Sequence, residues 1–224
     1  METIETKKNR RPLQICIIIA GVLLYALFTY LVVTDSASAI DDPIRFAFYS
    51  LRDTDAAAIM TPFSQLMDFV GGTIQVIVIC AILLAIPVTR VHYGLPASCV
   101  ALGATIINKT VKHIVMRPRP DDIVHLAEEG GYSFASGHSI VSMCLYAVLI
   151  YQVRRHVKNK TAANVLTVIL CIPMLLMGPS RIYVGVHYPT DVMAGWSLGI
   201  SIFVVAVLVM EYLRKRRQTQ DIKK

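Results

Sequence analysis

Six stretches of this chain, roughly 13–33, 70–88, 93–110, 136–153, 161–179 and 189–212, are apolar over the length of a membrane span or close to it. Crossing the hydrocarbon core takes about 20 apolar residues, and in lipid every backbone N–H and C=O must be satisfied within the protein. The runs are continuous rather than alternating. The expected fold class is therefore all-α, a six-transmembrane-helix bundle. The first, fifth and sixth runs are unbroken, whereas the second, third and fourth carry small or polar residues. The first run, Leu13 to Val33, is longer than the apolar core of a secretory leader and reads as a retained span rather than a cleaved one.

Of 224 residues, 55% are hydrophobic, more than a soluble domain of this length carries. The net charge is +7, and its placement decides what it means. Lys7, Lys8, Arg10 and Arg11 precede the first span; Arg90 lies between the second and third. Arg154, Arg155, Lys158 and Lys160 lie between the fourth and fifth, and Arg214, Lys215, Arg216, Arg217, Lys223 and Lys224 follow the sixth. If six spans alternate, these 15 of the 22 basic residues share one side. The positive-inside rule makes that side cytoplasmic, where such clusters meet anionic headgroups. The charge therefore signals topology, and nucleic acid is excluded as a partner. The resulting domain plan is a cytoplasmic tail at 1–12, a membrane domain at 13–212 and a basic cytoplasmic tail at 213–224. Both termini are expected in the cytoplasm of a cell bounded by this plasma membrane. Five cysteines fall inside spans without CxxC spacing, so neither a disulfide framework nor a zinc site is expected.

The other seven basic residues, Arg45, Arg52, Lys109, Lys112, Arg117, Arg119 and Arg181, lie on the outer side against that bias. An outer segment, 34–69, contains Pro43 to Arg52, which reads either as an interfacial amphipathic helix or as a loop with an aromatic belt. Gly71-Gly72 opens the second span and would allow close helix packing.

Three short segments at span ends carry chemistry. Lys112 is followed by Met116-Arg117-Pro118-Arg119-Pro120, where each proline pushes the preceding residue out of helix. Arg119 can then turn back toward Lys112 over an anion: arginine offers a planar fork, lysine a point charge. Arg117 could take the place of Arg119, and interfacial snorkelling explains either cation equally. Ser136-Gly137-His138 precedes the fourth span. Ser136 suits an N-cap, and the free N–H groups of a helix start favour a phosphate. Gly137 lets the backbone come close, and a bound dianion would hold His138 protonated as a general acid; a cap followed by an interfacial histidine is the plainer alternative. The third segment runs from Ser180-Arg181 through His187 to Asp191. Pro189 suits the first turn of the sixth span, and Asp191 lies one helical turn after His187. The carboxylate can hold one ring nitrogen and leave the other bare, as a nucleophile needs; a purely structural pair is the alternative. His113, His125, Glu128 and Glu129 lie near the site in sequence but outside any motif, and the glutamates either shape substrate choice or merely solvate a loop. The charge-derived topology puts all three segments on one face, so the site is expected at the outer membrane–water interface.

Residues 112–191 resemble the signature of the type 2 phosphatidic acid phosphatase superfamily, written K-x6-RP, PSGH and SR-x5-H-x3-D, and the first two spans fit its six-helix membrane branch. Ala135 stands where the family commonly has proline, a position that shapes the entry to the helix and contributes no ligand. The resemblance implies that Lys112, Arg119 and Arg181 bind phosphate together with Ser136 and Gly137. It implies that His187 attacks phosphorus and forms a phosphohistidine, that Asp191 orients His187, and that His138 protonates the leaving oxygen and then activates water. No metal or other cofactor is implied, since three cations supply the charge that metals would otherwise carry. The implied substrate is a lipid phosphate such as phosphatidic acid, phosphatidylglycerophosphate or undecaprenyl pyrophosphate. A lipid phosphotransferase using the same site, and a catalytically silent lipid-binding or transport protein, are the competing expectations; intact His138, His187 and Asp191 argue against silence. Oligomeric state is not readable from these residues.

Overall fold

The computed structural model describes residues 11–221, so Lys7, Lys8 and Arg10 of the N-terminal tail, and Lys223 and Lys224, lie outside the described residues. Every regular element among the described residues is helical: α1 Arg11–Val33, α2 Ser38–Ser50, α3 Ala57–Gly71, α4 Thr73–Ala85, α5 Leu95–Val115, α6 Gly137–His156, α7 Lys160–Tyr183 and α8 Pro189–Asp221. Short helical turns link α2 to α3 and α4 to α5.

By length and apolarity, α1, α7 and α8 can cross a membrane, with mean hydropathies of 2.6, 2.0 and 2.4 over their apolar windows. They present apolar side chains outward, among them Leu23, Val168 and Val209. Such a belt has no solvent it tolerates except hydrocarbon, and the chain is an integral membrane protein. The second expected span differs from the expectation. The chain is already helical from Ala57, Gly72 is extended, and α3 and α4 meet at a bend of 51°. These criteria alone give three spans, or four if the bent pair is one. The α5 and α6 helices miss them for a physical reason. With 21 and 20 residues they measure about 31 and 30 Å; α5 carries Asn108, Lys109, Thr110 and Lys112 in its last turns while Leu102, Ile106 and Ile114 stay exposed, whereas α6 is sheathed by protein. In α6, Ile140, Cys144, Leu145 and Val148 are all fully buried. This helix joins both large apolar clusters, one with α1, α5 and α8 and the other with α4, α5 and α7. A helix surrounded by other helices can carry serines, a glutamine and a histidine that a lipid-facing helix cannot.

Gly195 and Gly199, one turn apart on α8, set the spacing between α8 and α6. A Cβ at Gly195 would lie 3.0 Å from the Ser136 carbonyl oxygen, and one at Gly199 would lie 2.9 Å from that of Ile140. This is backbone-to-backbone packing of the small-xxx-small kind; at Gly71, where the sequence suggested close packing, a Cβ would run into the Met177 side chain of α7. Gly195→Val is expected to overpack the contact by about 1–3 kcal/mol and to lower the thermal midpoint in detergent by about 5 °C. An unchanged midpoint would mean the two backbones do not touch there.

The segment containing Pro43 to Ser50 is helical, as part of α2. Its Asp41 is buried at 1% exposure, which is uncommon for an acid in a short surface helix. The C-terminal ends of α5 and α7 and the N-terminal ends of α6 and α8 gather at one end of the bundle. Ser136 N–H donates to the Asp191 carbonyl at 3.1 Å, and Leu126 N–H to that of Val184 at 3.0 Å.

Candidate active site

The α5 helix stops where its sequence no longer supports it. Met116 takes a left-handed conformation with φ of 50°, its N–H still bonded to Lys112 O at 3.0 Å. Pro118 and Pro120 then hold the chain extended, and Ser133 N–H returns to the Arg117 carbonyl at 2.8 Å. Along this strip Arg119 reaches the space in front of His187. Its Nη1 donates to Val186 O at 2.7 Å and lies 3.4 Å from His187 Nε2, while Nη2 donates to Gly130 O at 2.9 Å. Lys112 Nζ donates to Tyr132 O.

At the start of α6 the Ser136 hydroxyl accepts from Ser139 N–H at 3.4 Å, the capping role its position suggested, and from the Ser139 hydroxyl at 3.0 Å. Gly137 follows, and a Cβ there would come within 2.6 Å of Asn108 Nδ2. His138 lies between two acids, its Nδ1 3.3 Å from Glu129 Oε1 and its Nε2 3.7 Å from Asp68 Oδ1.

At the start of α8, Pro189 is the first helical residue and Asp191 sits in the first turn. Asp191 Oδ2 accepts from the Tyr188 N–H at 3.0 Å, which ties down the residue preceding the helix in the manner of a capping box. The same oxygen accepts from the Ser133 hydroxyl and faces His187 Nδ1 at 3.3 Å. Nδ1 therefore carries the proton. Nε2 is left as an acceptor opposite the Arg119 guanidinium, which has only protons to offer. His187 is buried, 1% exposed. Burial foremost, with the Arg119 and Lys112 charges added, outweighs the hydrogen bond and charge of Asp191 and pushes its pKa down to about 4. At neutral pH the ring is unprotonated, the state in which a nitrogen lone pair attacks.

Lys112, Arg119, Gly137, His138 and His187 line one cavity of about 620 Å³, walled further in by Val76, Ile77 and Leu84 of α4 and by Ala101, Leu102 and Thr105 of α5. The three remaining expected site residues do not line it. Ser136 is engaged in its cap and Asp191 stands behind His187. Arg181 is fully buried, its Nη2 donating to Ser64 O at 3.0 Å and its Nη1 paired with Asp68. Arg117, weighed above as a substitute phosphate ligand, turns away from the cavity and donates from Nη1 to Asp191 Oδ1 at 2.7 Å. Sequence reasoning missed Asp68, Ser133 and Asp41 as site residues, and left Glu129 outside the motifs, as a shaper of substrate choice or a solvated loop acid. Glu129 reaches Arg119 at 3.5 Å as well as His138. Among the described residues, Asp68, Glu129 and His138 form the single group of three side chains whose donor atoms, within 4.8 Å of one another, match a metal site. Arg181 and Arg119 already offset both of its carboxylates.

A bare imidazole nitrogen backed by a carboxylate, a second imidazole, and the two cations Lys112 and Arg119 on one cavity wall can hold an anion, attack it and protonate what leaves. The family model of the PAP2 superfamily matches residues 93–215. A phosphatidylglycerophosphatase B of Bacillus subtilis (strain 168) is 35% identical over 117 residues, 50% of this chain and 56% of that protein. An undecaprenyl-diphosphatase of Sulfolobus acidocaldarius is 30% identical over 111 residues, 47% of this chain and 50% of that protein. The chain thus spans about half the length of the curated relatives it matches. The crystal structure of a transmembrane PAP2-type phosphatidylglycerolphosphate phosphatase from Bacillus subtilis superposes with a TM-score of 0.72 at 27% identity, covering 87% of this chain and 96% of that one. Aquifex aeolicus LpxE shares the fold, with a TM-score of 0.60 at 22% identity over 75% of this chain and 94% of that one.

Proposed function

Because this chain belongs to the PAP2 superfamily, we propose that it hydrolyses a phosphate ester or diphosphate carried by a membrane lipid, without a metal, through a phosphohistidine on His187. The observation that carries this reading is the setting of His187. Its Nδ1 is held by Asp191, its bare Nε2 faces Arg119, and it sits at the polar end of a cavity whose other walls are mostly apolar.

In the first half-reaction Nε2 attacks phosphorus, the bond from phosphorus to the lipid oxygen breaks, and His138 gives that oxygen a proton. In the second, His138 takes a proton from water, the hydroxide attacks phosphorus, and the P–N bond breaks to free inorganic phosphate and His187. Lys112, Arg119 and Arg181 balance the charge that builds on the equatorial oxygens, the contribution that is usually largest in such transfers. Arg181 engages after Asp68, 46% exposed at its side chain, yields to the incoming phosphate. Ser136 and Gly137 set the N-terminal end of α6 against the same anion.

The topology that suits this chemistry has six crossings, both termini in the cytoplasm and the site at the outer interface of the plasma membrane. It is supported by the one-sided placement of the basic clusters and by the gathering of all motif-bearing helix ends at one end of the bundle. The relatives' names direct the choice of substrate to phosphatidylglycerophosphate and undecaprenyl diphosphate, with phosphatidic acid beside them.

The test is phosphate release by the purified chain in detergent with EDTA present, over those three lipids. Full turnover in EDTA on at least one of them is expected. A strict magnesium requirement would overturn the metal-free mechanism, and no release from any would overturn the hydrolase.

A further inference from the structure

Arg117 is two residues from Arg119 and on the side where cations are disfavoured, yet it does not face the cavity. Its guanidinium is clamped between two buried carboxylates. Nη1 donates to Asp191 Oδ1 at 2.7 Å and Nη2 to Asp41 Oδ2 at 2.6 Å; the three side chains are 13%, 0% and 1% exposed. Asp41, carried by α2, also receives the Thr190 N–H at 2.8 Å and the Thr190 hydroxyl at 2.9 Å. Arg117 Nη1 reaches that hydroxyl at 2.9 Å. The ring of Tyr188 covers the guanidinium, its centroid 3.7 Å from Cζ, close enough for a cation–π contact. The first turn of α8 is therefore gripped from α2 and from the strip after α5 at once.

This grip decides which way Asp191 points. A carboxylate has two oxygens and can turn about its last bond. The planar arginine fork fixes the plane in which it accepts. With Oδ1 taken by Arg117, Oδ2 is the oxygen left for Tyr188 N–H, Ser133 and His187 Nδ1. Asp41 in turn keeps Arg117 from swinging out toward the phosphate site.

We propose that Arg117, held by Asp41, is the positioning residue of the nucleophile: it fixes the Asp191 carboxylate so that Oδ2 takes the Nδ1 proton of His187 and Nε2 stays bare toward the cavity. This rests on the reading of His187 as the nucleophile. It distinguishes three roles for Arg117: phosphate ligand, mere counter-charge to Asp41, and orienter of Asp191.

The test compares Arg117→Lys, Arg117→Met and the double variant Asp41→Asn/Arg117→Met in the full chain. Arg117→Met leaves two buried carboxylates without their cation, a cost that can prevent folding by itself; the double variant removes one of those charges. The readouts are kcat and KM on the best lipid of the panel, and the 15N spectrum of selectively labelled histidine, with the His187 signals identified by their loss in His187→Gln. In the double variant kcat should fall roughly 100-fold, the scale of a small misplacement at a reacting centre. KM should change little, and His187 should lose its pure Nδ1–H tautomer. Arg117→Lys should recover part of the rate. A double variant with wild-type kcat would reduce Arg117 to a counter-charge, and a raised KM at unchanged kcat would make it a phosphate ligand; either overturns the proposal. If the wild-type chain releases phosphate from no lipid, the hydrolase reading fails. The tautomer of His187, which needs no turnover, still decides the positioning: a spectrum unchanged by the double variant refutes it.

Discussion

His187→Ala is expected to reduce lipid phosphate release by roughly 10⁴-fold or more while leaving lipid binding nearly intact. The expectation follows from where the ring sits. It occupies the polar end of the cavity with Nε2 free, and its loss removes the atom that would bond to phosphorus. The apolar walls formed by α4 and α5 are untouched. The cations proposed to hold the phosphate also remain, because Lys112 and Arg119 are fixed mainly by backbone carbonyls of Tyr132, Val186, Gly130 and Gly131 rather than by His187. The check combines turnover with equilibrium binding of the same lipid and with acid-labile phosphate labelling of the protein. Labelled wild type beside unlabelled, binding-competent variant would identify the nucleophile. Substantial turnover in the variant would remove His187 from that role.

The second large effect concerns His138, and its signature depends on the leaving group. On a lipid ester the departing alkoxide needs a proton, and His138→Ala should slow release by roughly 10²–10⁴-fold, the usual worth of a positioned general acid. On p-nitrophenyl phosphate the departing phenolate needs none. The first half-reaction should then survive, while the second, which also uses His138 to activate water, stalls. The expected record is a burst of nitrophenolate stoichiometric with protein, followed by a slow phase, with phosphate left on His187. Equal slowing of both substrates without a burst would mean that His138 does not act as the acid.

Much of the site was legible because its chemistry is local in sequence. Ser136 caps α6 through Ser139, three residues on, and His187 and Asp191 meet across one helical turn, so the cap and the pair were both suggested by local spacing. The parts that were not legible depend on distance along the chain. Asp41 pairs with Arg117 across 76 residues, and nothing in its neighbourhood, a short helix with other acids, marks it as buried. Asp68 sat at the edge of an expected span and Glu129 in a polar loop. Their roles appear only once the bend after α3 and the strip after α5 bring them against Arg181 and His138. The same limit explains the spans. Apolarity reports contact with lipid, so α1, α7 and α8 announce themselves, whereas α6, whose neighbours are other helices, looks less like a membrane helix although it is the most enclosed of all.

The cavity carries Lys112, Arg119, His138 and His187 at one end and side chains such as Val76, Ile77, Leu84 and Leu102 along the rest. A molecule that fits such a space arrives from the hydrocarbon rather than from water. Its supply is then set by how many of its neighbours in the plane of the bilayer are of its kind, not by how much of it is present per millilitre. Diluting it with inert lipid at constant total amount would slow the reaction, and the natural unit for half-saturation is a mole fraction.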